Sequence, residues 1–172
     1  PWKSSTLDGA AFGGHIHVLD WAWENKCPRK DEAITIFAAR GGQQSVIEWA
    51  RRKNRHFTHC LFSTYTCHGA ADTGNLDILK DLLAHGCPFE WSSCIAAAKQ
   101  GHLEVLRLLN EKGCAWHEFV CSGAAQGGHL DVLKFARENG CPWDSNTISY
   151  ARSNGHNDVV AWARQNGCEE PA

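Results

Sequence analysis

Apolar residues recur along this chain in short clusters at helical spacing, and each cluster follows a glycine. After Gly101 they fall at Leu103, Val105, Leu106, Leu108 and Leu109; after Gly128, at Leu130, Val132, Leu133 and Phe135. Offsets of three and four residues line one face of an α-helix. Upstream of the same glycines the pattern changes. Small residues come in pairs there, Ala38-Ala39, Ala70-Ala71, Ala97-Ala98 and Ala124-Ala125, and would let neighbouring helices approach closely. Each segment therefore predicts two short antiparallel helices, a small-faced one and a large-faced one. Gly14, Gly42, Gly74, Gly101, Gly128 and Gly155 stand where the first helix must stop, and Gly86, Gly113, Gly140 and Gly167 where the second does. A left-handed residue ends a helix there without a Cβ penalty. Asp77, Glu104, Asp131 and Asp158 suit the positive end of the second helix's dipole. No stretch alternates as a strand would, so the expected fold class is all-α.

The helix pairs themselves repeat. Ile95 to Leu106 returns 27 residues later as Ser122 to Leu133, and successive copies close on Gly86-Cys87-Pro88-Phe89, Gly113-Cys114-Ala115-Trp116 and Gly140-Cys141-Pro142-Trp143. Closing marks at 27, 55, 87, 114, 141 and 168 divide the chain into six repeats, 1–27, 28–55, 56–87, 88–114, 115–141 and 142–168, the third lengthened by an insertion. A fixed period of this size predicts a helical-repeat solenoid in which each copy contacts its neighbours, with 1–172 read as a single repeat domain. The core Ala97-Ala98-x-x-Gly101-His102-x-x-Val105-Leu106 resembles the ankyrin repeat, and specifically its short-period, Gly-Cys-Pro-Trp type. It departs from the common pattern in lacking the Thr-Pro-Leu-His opening and in having a period shorter than about 33. The resemblance implies about six ankyrin-like helix pairs with shortened β-turn fingers. It also implies a non-catalytic module that binds a protein partner.

Composition narrows the function further. A net charge of -2 gives no global field for nucleic acid or an anionic membrane, and no run is long enough for a membrane span. The chain opens at Pro1 and has no methionine, so it reads as a fragment of a longer protein. Of its nine cysteines, Cys27, Cys87, Cys114, Cys141 and Cys168 share one repeat position, and Cys67, Cys94 and Cys121 another. Like positions in stacked helices lie about 8–10 Å apart, beyond the usual disulfide Cα span of about 4.4–6.8 Å. All nine are therefore expected to be free thiols that pack as small hydrophobes, which favours a reducing intracellular compartment such as cytoplasm or nucleus.

Candidate chemistry is sparse. The insertion brings His56, His59, Cys60, Cys67 and His68 together in sequence, which reads either as a lengthened turn or, less readily, as a structural zinc site. His15, His102, His129 and His156, with Gln43 and Asn75 in the gaps, are expected to bond nearby backbone at the inter-helix turn. Trp21, Trp49, Phe135 and Trp162 share a helix position, and Trp2, Phe57, Phe89, Trp116 and Trp143 a turn position, as rings filling the seams between copies would. Trp23 breaks that register, which makes it a candidate contact residue. Arg40, Asp72, Lys99, Gln126 and Ser153 vary at one first-helix position, where partner specificity would lie, and Arg51 and Arg52 head the one basic cluster. No nucleophile motif, phosphate-binding glycine loop or separated acid pair appears, so no catalysis and no cofactor are expected. The expected partner is a protein, met either transiently or as part of a large assembly to which this chain is an accessory subunit. A recruitment arm of a larger enzyme is the remaining alternative.

Overall fold

The computed structural model describes residues 4–53 and 62–170. Trp2 and the insertion residues Arg55, His56, Phe57, His59 and Cys60 lie outside them. Among the described residues every regular element is a helix. In chain order they are α1 (Ser4–Phe12), α2 (Ile16–Glu24), α3 (Asp31–Arg40), α4 (Gln44–Lys53), α5 (Thr64–Asp72) and α6 (Leu76–Ala84). They continue as α7 (Trp91–Lys99), α8 (Leu103–Glu111), α9 (Glu118–Gly127), α10 (Leu130–Glu138), α11 (Ser145–Ser153) and α12 (Asn157–Gln165). Odd and even helices pair as hairpins, and the hairpins gather into two compact halves, Pro1–Phe89 and Glu90–Ala172.

Within each half the closest packing is between first helices: α3 lies between α1 and α5, and α9 between α7 and α11. The paired alanines make that possible. Ala38, Ala39, Ala70, Ala71, Ala97, Ala98, Ala124 and Ala125 are all fully buried. Second helices bury the large apolar side chains, with Leu79, Leu82, Leu106, Leu109, Leu133 and Val132 inaccessible to solvent. Each such side chain contributes about 1.5–3 kcal/mol relative to an exposed one.

The turn inside each hairpin has one construction. At Gly101, φ is +79°, the Gly101 amide donates to the Ala98 carbonyl and the His102 amide donates to the Ala97 carbonyl, which satisfies the last acceptors of α7. Glycines at the ends of the second helices take the same left-handed backbone, and in the first hairpin Lys26 does so at φ +52°. A side chain is disfavoured in that conformation by about 1–2 kcal/mol. Lys26→Gly should therefore raise the unfolding free energy by up to about 1 kcal/mol in a urea titration, since glycine also loses more chain entropy on folding.

The polar residue after the turn glycine ties one hairpin to the one before it. The His129 ring N–H donates to the Lys99 carbonyl at 3.1 Å, His156 to the Gln126 carbonyl at 3.1 Å, and the Asn75 amide to the Ala39 carbonyl at 3.1 Å. Each accepting residue stands at or next to the end of a first helix, where carbonyls lack partners within the helix. The bonds are to backbone, as expected, but across the seam rather than within the residue's own turn. Gln43 bonds its own turn, at the Gly41 carbonyl, and Asn75 also donates to the Thr73 hydroxyl of its own turn.

Cysteine pairing differs from the sequence expectation. Cys94 and Cys114 are joined in a disulfide, their Cα atoms 7.2 Å apart, while Cys27, Cys67, Cys87, Cys121, Cys141 and Cys168 are free. The expectation compared like positions in different copies. The close approach is between unlike positions of one hairpin, because the closing turn folds back over the first helix. The same fold-back lets the Cys87, Cys141 and Cys168 thiols donate to the carbonyls of Ser63, His117 and Asp144, each 24 residues upstream and just ahead of a first helix.

Aromatic rings occupy the seams in part. Trp116 meets Phe135 edge-on at 6.3 Å and Trp143 meets Trp162 at 5.8 Å, so the turn ring of one hairpin packs on the helix ring of the next. Trp21 departs from the expectation: it is 46% exposed. In the first hairpin Arg29 stands where later copies carry the turn ring, and Trp23 takes over the packing, meeting Trp49 edge-on at 5.8 Å with the Arg29 guanidinium 3.9 Å above it. The fifth hairpin holds the same pair in the reverse order, Arg137 lying 4.2 Å over Trp143. Trp23→Ala should cost about 1–2 kcal/mol through the lost edge-on and cation–π contacts. The exchange Trp23→Arg with Arg29→Trp should restore most of that in thermal unfolding.

Candidate functional site

The candidate contact residues of the sequence lie on the surface, and they divide by what already engages them. The C-terminal ends of the first helices carry Phe12, Arg40 and Asp72 in the N-terminal half, and Lys99, Gln126 and Ser153 in the C-terminal half. Phe12, Arg40, Lys99 and Ser153 are exposed, Asp72 and Gln126 partly so. Arg40 reaches across to Asp72 at 3.3 Å, passing over Gly69, where a Cβ would come within 2.7 Å of the Arg40 Cγ. An exposed pair of this kind is worth well under about 1 kcal/mol. Lys99 and Gln126 lend their carbonyls to the seam bonds while their side chains stay outside them.

The basic cluster is largely engaged within the fold. Arg51 forms a two-point bridge to Asp81 at 2.6 and 3.1 Å, which Gln44 joins at 3.2 Å and His85 at 3.2 Å. Lys53 pairs with Asp20 at 2.7 Å, and the same carboxylate accepts the Trp49 indole N–H at 2.9 Å. Hydrogen bonds from Lys53 and Trp49 hold the Asp20 carboxyl below the usual carboxylate range. Arg52 stays exposed. Trp23, in the packing just described, is half-buried.

Asp81 carries a pH dependence. Burial pushes its carboxyl up, but hydrogen bonds from Arg51 and Gln44, with the Arg51 and His85 charges, outweigh it and hold the pKa below the ordinary value. A carboxyl depressed by folding contributes its stability fully above its unfolded pKa of about 4 and loses it as pH falls through the lower, folded value. Stability measured by urea unfolding should therefore fall on acidification below about pH 4. Asp81→Asn should remove part of that slope.

The C-terminal half adds a surface that the sequence reading did not single out. Lys134, Arg137, Glu138, Trp143, Trp162 and Asn166 line an open groove of about 520 Å³ between α10 and α12. Arg137 is fixed there, stacked on Trp143 and donating to the Cys141 carbonyl. No single repeat position signalled it, since its lining residues come from α10, the turn that follows and α12. Trp91, His117 and Phe119 make a second cluster, with His117 stacked on Trp91 at 5.0 Å and tilted against Phe119 at 4.7 Å.

Cys67 and His68 lie on α5, and Cys67 faces Cys87; His56, His59 and Cys60 of the same insertion fall outside the described residues. Among the described residues no three metal-ligating side chains converge, and no helix is long and apolar enough to cross a membrane. No protein-family model matches the chain, and no curated protein matches it at a significant level.

Proposed function

We propose that this chain is an ankyrin-like helical-repeat solenoid that works without catalysis, as a scaffold holding a protein partner on the ends of its first helices. The observation that carries the reading is a contrast within those helices. Seam-facing positions are alanine in copy after copy and fully buried, whereas the end positions run Phe12, Arg40, Asp72, Lys99, Gln126 and Ser153, with no two neighbours alike. Packing has no use for that variety, while recognition does. A preorganised helical surface also loses little freedom on binding, so a few anchors suffice for affinity. The buried free thiols Cys67, Cys87, Cys121, Cys141 and Cys168 support a reducing intracellular setting for it, and the Cys94–Cys114 disulfide stands against one.

An accessory subunit fixed in a large assembly is the second reading, supported by the exposed aromatic rings Trp91 and Phe119 on either side of His117. Permanent interfaces are larger and more apolar than transient ones. Gel filtration of gentle lysate, with mass spectrometry of what co-elutes, tests both. Under the scaffold reading, Arg40→Glu with Lys99→Glu weakens the co-eluting complex at least tenfold while the melting temperature holds. Retention of the complex by that variant, with its loss in Trp91→Ala and Phe119→Ala, would replace the scaffold reading with the accessory one.

A further inference from the structure

Three consecutive hairpins carry a cysteine on the first helix and a second one 20 residues later in the closing turn: Cys67 and Cys87, Cys94 and Cys114, Cys121 and Cys141. The first pair is open, with its sulfurs 3.2 Å apart. The second is closed as a disulfide. In the third the Cys121 thiol donates to the Cys141 backbone carbonyl, 4.0 Å away. One scaffold geometry thus holds dithiol and disulfide alike. We propose that the three pairs are reversible oxidation sites, each closing an internal crosslink within one hairpin at the expense of a hydroperoxide.

The two members of a pair are unlike, which assigns their roles. Cys67, Cys94 and Cys121 are completely buried on the helix; in the closing turn Cys87 and Cys114 retain 5% and 7% exposure, while Cys141 is as buried as its partner. The closing-turn sulfur is also the better stabilised as a thiolate. Its partner's S–H and backbone N–H point at it, and Arg51 lies near Cys87 as Arg137 lies near Cys141, so both thiols are pulled below the ordinary cysteine pKa. Their helix partners are pushed up, by holding that hydrogen bond and by burial. The closing-turn thiolate attacks the outer peroxide oxygen, the O–O bond breaks, and the alkoxide leaves and takes a proton. The resulting sulfenic acid is then attacked by the helix sulfur; the S–S bond forms and hydroxide leaves, taking that thiol's proton as water. The sum is two thiols and one hydroperoxide giving one disulfide, one alcohol and one water. Thiol–disulfide exchange with a small dithiol reverses it.

The sixth hairpin supplies a control. Cys168 closes it in the same way, donating to the Asp144 carbonyl and accepting the Ile148 backbone N–H, but Ile148 stands where the helix cysteine would be. Crosslinking there lacks only one sulfur.

The test uses the full chain, reduced, freed of reductant and treated with hydrogen peroxide under native conditions. It is then quenched with N-ethylmaleimide in denaturant and mapped by peptide mass spectrometry. The expected result is three disulfides, 67–87, 94–114 and 121–141, and loss of six of the nine thiols present, with Cys27, Cys60 and Cys168 alkylated and all six recovered after dithiothreitol. Ile148→Cys should add a fourth, to Cys168. Nine alkylated thiols, scrambled pairings, or sulfinic and sulfonic products in place of disulfides would each overturn the proposal. The unaltered chain decides it even if the variant fails to fold.

Discussion

Gly101→Val is expected to destabilise the protein by about 2–4 kcal/mol. Two independent costs combine. At φ +79° a β-branched residue is held in a left-handed backbone, worth about 1–3 kcal/mol. The new Cβ would also stand 2.6 Å from the His129 ring, which must swing away and release the Lys99 carbonyl. That forfeits a seam hydrogen bond of about 0.5–1.5 kcal/mol. The two costs separate experimentally, because Gly155 has the same backbone, φ +80°, and open space where a Cβ would go. Gly155→Val should therefore show the backbone cost alone, and Lys99→Ala almost none, in urea unfolding at neutral pH. Equal losses at Gly101 and Gly155 would mean that the histidine seat contributes nothing.

Leu106→Ala should cost about 2–5 kcal/mol, the range for truncating a fully buried leucine whose cavity the surroundings only partly refill. Leu106 lies fully buried on α8, and its neighbours Val105 and Leu109 are buried with it. The loss should be local in its first signs. Amide exchange should quicken most in α7, α8 and α10, since α8 packs on α7 and α10. Uniform acceleration across both halves would show instead that the chain opens as one cooperative body.

The helix pairs and their ends were legible in the sequence because both rest on strong local rules: apolar spacing for the second helices, alanine pairs for the first, and glycine where only a left-handed residue stops the chain. What lay beyond the sequence was reach. His129 and His156 were read as serving their own turns, yet imidazole is long enough to cross to the preceding hairpin. The cysteines were compared down each repeat position, and contacts between two different positions are invisible to that comparison until the closing turn is seen to fold back. For the candidate surface, the first-helix ends could be read from sequence, but the engagement of Arg51 by Asp81 could not, since 30 residues separate them. The same holds for the groove between α10 and α12, whose lining residues converge only once the hairpins stack.

The reversed pairs Trp23 with Arg29 and Arg137 with Trp143 have a consequence for how such a chain can drift. In these two hairpins the packing is met by one flat ring and one cation stacked on it, and it is indifferent to which of two sites supplies which. A duplicated copy can therefore lose its aromatic at one site and remain sound once a neighbouring site gains one, so the permissible histories of the array run through compensating swaps. Copies related in this way would look mismatched site by site while being interchangeable in three dimensions.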